Sequence, residues 1–304
     1  MVIVLIKCLF KSTLPILFLL STMVRADGSE KIMVIPFSLD LDYSTPMAVL
    51  EMNGLRARFM IDTGSVTALH LNEVFMSQIS GLVMDEGKER STDATGEIFY
   101  NHRFHFPSLT VNGMTFKNIH GVSLTPWGLT LGESTNRPNT MVIGLNLFHD
   151  KVIRLDYHQR RVIVGESLES IGVKPSEEWV SLPLLMTADG IIVTLSIGGN
   201  DYAFILDTGA SISVFWKDHL KSLLWREQCN ILGDKATEDE LNAADCVSLT
   251  LNDTGAKKVK TPVLLLNGNF SHLPFDGLLG TTFLDEYETV IDYPKQRLLI
   301  RTAR

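Results

Sequence analysis

The tripeptide Asp-Thr-Gly occurs three times in this chain of 304 residues, at Asp62, Asp207 and Asp253. Two carboxyl groups can do chemistry as a pair when they lie close enough to share one proton. The ionised member can then take a proton from a water, while the protonated member gives one to a carbonyl oxygen. The first question is therefore which two of the three Asp residues meet in the folded chain.

An internal repeat selects Asp62 and Asp207. At an offset of 145 positions, residues 47–65 align with residues 192–210, and apolar positions fall on apolar positions. Gly54 aligns with Gly199, and Asp62 with Asp207. Each copy predicts a strand, a Gly-centred hairpin turn and a second strand that ends on the carboxylate.

A second repeat follows at an offset of 136 positions, where residues 141–164 align with residues 277–300. Gly144 aligns with Gly280, and each copy predicts a buried apolar run ending in Gly, a short helix and a β-hairpin. The matching order at both ends predicts two duplicated lobes. The predicted division is residues 1–26 as a signal peptide, 27–165 and 179–304 as the lobes, and the polar, Gly- and Pro-containing stretch 166–178 as the linker.

A carboxylate at the end of a strongly apolar strand is costly to bury unless it is hydrogen-bonded or shared. Two lobes that pack about a pseudo-twofold axis would bring both loops together, and we therefore predict that Asp62 and Asp207 form one catalytic site. A single Asp-Thr-Gly would be no more than a surface turn. The context of Asp253 is of that kind, because it interrupts an alternating strand and a later apolar run, and this predicts a hairpin turn.

The residues that follow each Asp are predicted to support the two loops. Thr63 and Thr208 can hydrogen-bond to the opposite lobe, and Gly64 and Gly209 can adopt backbone conformations closed to other residues and leave their N–H groups free for the carboxylates. The next positions differ between the copies, with Ser65 in the first and Ala210 in the second. Because only a hydroxyl can donate to the neighbouring carboxylate, Asp62 is predicted to be the more readily ionised of the two.

These motifs, FMIDTGS and FILDTGA with VIG (142–144) and LLG (278–280), resemble the paired signatures of aspartic peptidases. The ending of the chain is most similar to retropepsin-like domains, and the resemblance covers residues 32–304 as two tandem copies. It implies a mainly β, bilobal pepsin/retropepsin-like fold with two β-barrel-like lobes and a central cleft.

The resemblance also implies hydrolysis of an extended polypeptide through Asp62 and Asp207, with no metal and no organic cofactor. Thr63 and Thr208 match the interlobe Thr pair of the family, and Gly144 and Gly280 match the Gly that flanks each catalytic loop. A monomer is expected rather than a dimer of the retroviral kind, because both half-sites lie in one chain. The alternative from another class is a catalytically silent peptide-binding protein with the same fold.

A substrate flap is predicted around residues 93–100. Thr95 and Gly96 are suited to a hairpin tip, and Phe99 or Tyr100 could cover a bound peptide. The alternative is a plain surface hairpin, because loops of this composition are common.

The first 26 residues have the basic, apolar and small-residue regions of a secretory signal peptide, which predicts a secreted or exported protein with no stable membrane insertion after cleavage. An uncleaved anchor is the alternative. Removal of Lys7, Lys11 and Arg25 changes the net charge from -8 to 24 minus 35, or -11, which argues against nucleic acid as a partner. Cys229 and Cys246 then remain as a candidate disulfide, with two buried free thiols as the alternative.

His102 and His105 could suggest a metal site, but three positions along a strand place them on opposite faces, and no clustered His or Cys pattern supports zinc. Apolar residues at helical spacing after Trp216 predict a helix over residues 216–227.

Overall fold

The computed structural model describes nine parts of the chain, which are residues 31–40, 44–92, 97–126, 139–174, 179–197, 199–220, 227–228, 245–251 and 260–303. These parts fold mainly into β-strands. The predicted signal peptide and its cleavage site lie outside the described residues.

The first half of the chain contributes eleven strands and one helix among the described residues. The strands are β1 (Met33–Pro36), β2 (Ser38–Leu39), β3 (Pro46–Met52), β4 (Leu55–Asp62), β5 (Leu69–Leu71), β6 (Val83–Thr92), β7 (Ile98–Val111), β8 (Met114–Ser123), β9 (Val142–Gly144), β10 (Val152–Asp156) and β11 (Arg161–Gly165). Helix α1 (Glu73–Gln78) follows β5, and a 3-10 helix (Leu145–Phe148) follows β9.

The second half repeats this order. Its strands are β12 (Val180–Pro183), β13 (Leu185–Thr187), β14 (Gly190–Ile197), β15 (Asn200–Leu206), β16 (Val214–Trp216), β17 (Glu227–Gln228), β18 (Asp245–Leu251), β19 (Lys260–Leu266), β20 (Gly277–Leu279), β21 (Tyr287–Asp292) and β22 (Arg297–Thr302). A 3-10 helix (Lys217–His219) follows β16, and helix α2 (Thr281–Glu286) follows β20.

Two eight-stranded sheets have the same strand order. In the first sheet the order is β2-β3-β4-β9-β5-β8-β7-β6, and in the second it is β13-β14-β15-β20-β16-β19-β18-β17. Each sheet also bends back on itself, because β3 pairs with β7 and β14 pairs with β18. The sequence repeat is therefore matched strand by strand.

The hairpins that lead to the Asp residues form as the sequence predicts. Asn53 and Gly54 have φ values of 45° and 84°, which is the conformation of a two-residue hairpin turn that favours Asn-Gly. Strand β4 begins with alternating side-chain exposure and ends with four buried residues, the last of which is Asp62. The apolar residues before Asp62 thus anchor the carboxylate in the core.

A third sheet takes strands from both halves, in the order β1-β11-β10-β21-β22-β12. Strand β10 of the first half pairs antiparallel with β21 of the second half. One large cluster of buried side chains also contains residues of both halves. The predicted boundaries at 165 and 179 lie next to this sheet.

The stretch predicted as a polar linker is partly buried in the described structure. Leu168, Ile171 and Val173 pack against Val152, Val290 and other apolar side chains of the third sheet. The Gly, Pro and charged residues of this stretch indicate a linker, but its three apolar residues pack into the core. The segment therefore contributes to the core as well as connecting the halves.

The helix predicted over residues 216–227 is wrong at both ends. Trp216 is the last residue of β16, and Glu227 lies in β17. Trp216 is fully buried and stacks on Phe270, with ring centroids 4.3 Å apart. Packing in the sheet outweighs the helical spacing of the apolar residues.

Two other predictions fall on residues that the structure leaves undescribed. Cys229 lies outside the described residues, so the predicted disulfide with Cys246 remains a prediction. Asp253 also lies outside them, although the strands on either side, β18 and β19, pair with each other as a hairpin would require.

A buried ionic network holds the third sheet together. Arg154 of β10 and Arg301 of β22 both donate to Glu288 of β21, and the Arg301 guanidinium lies 4.3 Å from the centre of the Trp179 ring. The side chain of Glu288 is only 7% exposed. Removal of one member of such a network leaves the other charges buried and incompletely paired.

We therefore expect Glu288→Gln to lower the free energy of unfolding by about 2 kcal/mol, measured by urea denaturation. Glu166→Gln is the matched control, because Glu166 pairs with Lys151 at 3.1 Å but has a side chain that is 46% exposed. That change should cost less than about 1 kcal/mol. Equal losses in the two variants would contradict a structural role for the network.

Candidate active site

The two repeated Asp residues meet at the junction of the two eight-stranded sheets. Strand β4 ends at Asp62, and it pairs in parallel with β9, where Asp62 lies opposite Gly144. Asp207 directly follows β15, which pairs in parallel with β20, and the Asp207 amide donates to the Leu279 carbonyl at 2.9 Å. The Asp62 and Asp207 carboxyl groups are hydrogen-bonded to each other.

The threonines bind across the junction in a symmetric way. The Thr63 amide donates to Thr208 Oγ1 at 2.9 Å, and the Thr208 amide donates to Thr63 Oγ1 at 3.0 Å. Each hydroxyl in turn donates to a carbonyl of the opposite half, Thr63 to Leu206 at 2.7 Å and Thr208 to Ile61 at 2.6 Å. These four bonds hold the two loops in register.

Gly64 and Gly209 are needed for space rather than for an unusual backbone conformation. Neither has a positive φ, contrary to the reason given from the sequence. A Cβ on Gly64 would lie 2.5 Å from Asp207 Oδ1, and one on Gly209 would lie 2.8 Å from Asp62 Oδ1. Each glycine thus lets the carboxyl group of the other half approach its backbone.

The same glycines supply hydrogen bonds as predicted. The Gly64 amide donates to Asp62 Oδ1 and the Gly209 amide to Asp207 Oδ1, both at 2.8 Å. Charged acceptors gain most from such donors, so the amides favour the ionised form of each carboxyl group.

Gly144 and Gly280 support the loops from the neighbouring strands. A Cβ on Gly144 would lie 2.1 Å from the Thr67 carbonyl oxygen, and one on Gly280 would lie 2.5 Å from the Ala210 carbonyl oxygen. Any larger side chain would push away the loops that carry Asp62 and Asp207. The structure therefore brings all the predicted loop residues, including Ser65 and Ala210, into one place.

The two carboxyl groups differ in acidity. Burial raises the pKa of both, and for Asp207 the negative charge of Asp62 raises the pKa further, to well above its usual value. For Asp62, burial is opposed by hydrogen bonds from the Asp207 carboxyl group and from the amides of Gly64, Ser65 and Gly209, which lower its pKa. The pair therefore holds one proton on Asp207 while Asp62 is ionised.

Asp62 is the more readily ionised carboxyl group, as the sequence predicts, but the Ser65 hydroxyl is not the cause. Ser65 Oγ lies 2.9 Å from His70 Nε2 and donates to the Thr67 carbonyl at 3.4 Å. The hydroxyl thus points towards β5 rather than towards the dyad. It is the backbone amide of Ser65 that acts on Asp62.

Two side chains beside the loops, His70 and Ser213, are not among the site residues predicted from the sequence. His70 is buried in β5, at a position where the second repeat has Phe215, and this unmatched His within an apolar strand was a visible signal. Ser213 accepts a hydrogen bond from the Gly280 amide at 3.1 Å and one from Thr282 Oγ1 at 2.9 Å. Nothing in its sequence context distinguishes Ser213 from an ordinary strand residue.

The predicted flap is described only at its base. Strands β6 and β7 pair as a hairpin, with Ser91 opposite Phe99, but Thr95 and Gly96 at the tip lie outside the described residues. Phe99 is partly buried, and Tyr100 is 62% exposed. The role of the hairpin as a cover for substrate remains a prediction.

The described residues contain no group of three or more His, Cys, Asp or Glu side chains placed to hold a metal ion. His105 instead contacts Asp85, with 2.6 Å between His105 Nδ1 and Asp85 Oδ1. Within the same described ranges, no helix has the length and apolar character needed to cross a membrane.

The shared proton predicts a pH dependence of stability. Because the pKa of Asp207 is raised, the folded protein keeps a proton that the unfolded chain has released, and stability falls as the pH rises from about 4 to the folded pKa of the dyad. His70 acts in the opposite direction, because burial lowers its pKa to about 3 and stability is lost as the pH falls below about 6.5.

A comparison with Asp207→Asn separates these two effects, because both proteins contain His70. We expect the stability of the wild type relative to this variant to fall by about 1.4 kcal/mol for each pH unit within that window. Urea denaturation from pH 3.5 to 7 measures the difference. A difference that does not change with pH would mean that the pair holds no shared proton.

Comparison with known proteins supports the fold. The sequence matches no family model and no curated protein. Among solved structures, basic 7S globulin from soybean has a TM-score of 0.59 with 11% identity, covering 90% of this chain and 95% of that one. An aspartic proteinase from Irpex lacteus has a TM-score of 0.55 with 14% identity, covering 90% and 98%. The mainly β, pepsin-like fold is thus confirmed, and at these identities the likeness concerns the fold alone.

Proposed function

We propose that this chain is an aspartic endopeptidase built as a tandem of two retropepsin-like halves. The observation that supports this most is the pair formed by Asp62 and Asp207, whose carboxyl groups are hydrogen-bonded to each other between two matched loops. Their different acidities suit them to be base and acid at the same pH. A protein that only binds peptides has no physical need for two buried carboxyl groups that share a proton.

The reaction follows from this arrangement. Ionised Asp62 removes a proton from a water lying between the carboxyl groups, and the water oxygen bonds to the carbonyl carbon of the scissile amide. Protonated Asp207 gives its proton to the carbonyl oxygen, which forms a neutral tetrahedral diol. Collapse of the diol breaks the C–N bond, returns one hydroxyl proton to Asp207 and passes the proton held by Asp62 to the leaving nitrogen.

The proposal includes the setting of the enzyme. The substrate would be a polypeptide in an extended conformation, covered by the β6–β7 hairpin with Phe99 or Tyr100 in contact. The enzyme would act as a monomer, without metal or organic cofactor. Its predicted signal peptide would direct it out of the cytoplasm. In an oxidising compartment outside the cytoplasm, Cys229 and Cys246 could form their disulfide.

The second candidate is a catalytically silent peptide-binding protein. It is favoured by one finding, since the solved structures with this fold include a protein named as a globulin as well as one named as a proteinase. The fold is therefore compatible with either function. The decision depends on whether the dyad performs chemistry.

The test is hydrolysis of a reduced, carboxymethylated and hence unstructured protein from pH 3 to 7. New amino termini would be counted by labelling, and cleavage sites mapped by mass spectrometry. We expect a bell-shaped pH dependence, because one carboxyl group must be ionised and the other protonated, and no effect of a metal chelator. If no new amino termini form at any pH while the carboxymethylated substrate still binds to this chain, the catalytically silent alternative is correct.

A further inference from the structure

His70 is a buried imidazole beside the active site that the proposed reaction does not use. It lies in the centre of β5, where its backbone pairs with Val122 of β8 and with Val142 of β9. The second half has the same strand with Phe215 at the equivalent position. An apolar side chain is thus compatible with this strand, and the histidine needs another explanation.

The imidazole contacts the loop that carries Asp62. His70 Nε2 lies 2.9 Å from Ser65 Oγ, and Ser65 Oγ also donates to the Thr67 carbonyl. The same loop is fixed at its other side by the Leu145 amide, which donates to the Ser65 carbonyl at 2.8 Å. Ser65 is therefore held through both its side chain and its backbone.

The position of Ser65 determines what Asp62 experiences. The Gly64 amide donates to Asp62 Oδ1 at 2.8 Å, and the Ser65 amide, which donates to the Asp62 main-chain carbonyl at 3.3 Å, also lowers the pKa of the Asp62 carboxyl group. In the second half the equivalent residues are Ala210 and Phe215, which cannot form a hydroxyl–imidazole contact. The dyad therefore has a side-chain support on the Asp62 side that the equivalent positions of the second half cannot provide.

We propose that His70 is a positioning residue, which holds Ser65 so that the loop amides remain directed at Asp62 and keep that carboxyl group ionised as the base. This inference rests on the proposed function. The neighbours of His70 on β8 and β9, Val122 and Val142, do not titrate, and on the loop side its ring nitrogen faces the Ser65 hydroxyl. Burial lowers the pKa of His70 to about 3, so the imidazole is neutral over most of the range from pH 3 to 7 in which hydrolysis would be tested.

The kinetic test compares His70→Leu with His70→Gln. Leucine is apolar like its neighbours in β5, whereas the amide of glutamine can reach the place of Nε2 and restore the contact with Ser65 Oγ. For His70→Leu we expect kcat to fall about tenfold with KM little changed, and the acidic limb of the pH profile to move up by about one unit. Glutamine should recover most of both effects.

A double-mutant cycle with Ser65 and His70 adds a second test of the proposal. Ser65→Ala should resemble His70→Leu, and the double variant should be no worse than either single variant, because the two residues act as one unit. Wild-type kcat and acidic limb in His70→Leu, additive losses in the double variant, or a failure of glutamine to do better than leucine would each overturn the proposal. Circular dichroism and urea denaturation would establish that each variant is folded.

A final experiment measures stability and does not depend on hydrolysis. The pH dependence of the free energy of unfolding reports the protons bound by the dyad, and Ser65→Ala retains His70, so the contribution of the imidazole is present in both proteins. Loss of the Ser65 hydroxyl should raise the pKa of Asp62. We therefore expect the part of this curve that reports the titration of Asp62 to lie about one pH unit higher in Ser65→Ala than in the wild type. If the wild type cleaves nothing but this shift is seen, the proposed function fails and the positioning role stands. Superimposable curves would overturn the positioning role.

Discussion

Asp62→Asn and Asp207→Asn are each expected to lower kcat by about 10³-fold or more on an unstructured protein substrate. Asparagine keeps the shape of the side chain, and its Oδ1 can still accept the Gly64 or Gly209 amide. It can neither take a proton from water nor give one to a carbonyl oxygen. Both variants should also be more stable than the wild type at pH 7, because they remove a carboxyl group that is costly to ionise there.

The chain supplies a matched control for these two variants. Asp253→Asn changes the third Asp-Thr-Gly copy, which has the same three residues without the preceding apolar strand. Its kcat and KM should equal those of the wild type. A loss of activity in Asp253→Asn, or normal activity in either dyad variant, would show that the wrong pair has been chosen.

Thr208→Val should have the largest effect on stability among the changes considered. Valine has nearly the same shape, but it removes the acceptor of the Thr63 amide and the donor to the Ile61 carbonyl, and these buried groups are left unpaired. At about 1 to 3 kcal/mol for each group, the free energy of unfolding should fall by about 2 to 6 kcal/mol. Activity should fall as well, because the two loops lose their register.

Thr208→Ser separates the hydroxyl from the methyl group. Serine can make both hydrogen bonds, so it should retain most of the stability, measured by urea denaturation in parallel with the valine variant. If Thr208→Ser and Thr208→Val lose the same stability, the interlobe hydrogen bonds are not what stabilises the junction. Because Thr63 makes the same bonds in reverse, Thr63→Val should show a loss of similar size.

Much of the site could be predicted from the sequence because the repeat carries the information. Asp62 and Asp207 align at one offset, and Gly144 and Gly280 align at another. An apolar run that leads to Asp and an apolar run that leads to Gly are each visible as local patterns in the sequence. A close approach of backbones requires Gly, and a carbonyl oxygen lies 2.1 Å from where a Cβ on Gly144 would be and 2.5 Å from where one on Gly280 would be. The likeness of the two halves then predicts that their loops face each other.

Other features depend on contacts that no local pattern reveals. The role of Ser65 was misjudged because the direction of its hydroxyl depends on His70, which belongs to the next strand. Trp216 was assigned to a helix because spacing alone does not show that it stacks on Phe270, 54 positions later. The pairing of β10 with β21 joins the two halves through residues far apart in the chain, and the repeat does not predict it.

The most direct test of the central claim is cleavage of an unstructured protein in water enriched in oxygen-18. Hydrolysis by a dyad-activated water should leave one heavy oxygen at each new carboxyl terminus, detected by mass spectrometry. The account predicts labelled termini with the wild type and with Asp253→Asn, and almost none with Asp62→Asn or Asp207→Asn. Labelled termini in equal amounts from all four proteins, or none from the wild type, would contradict it.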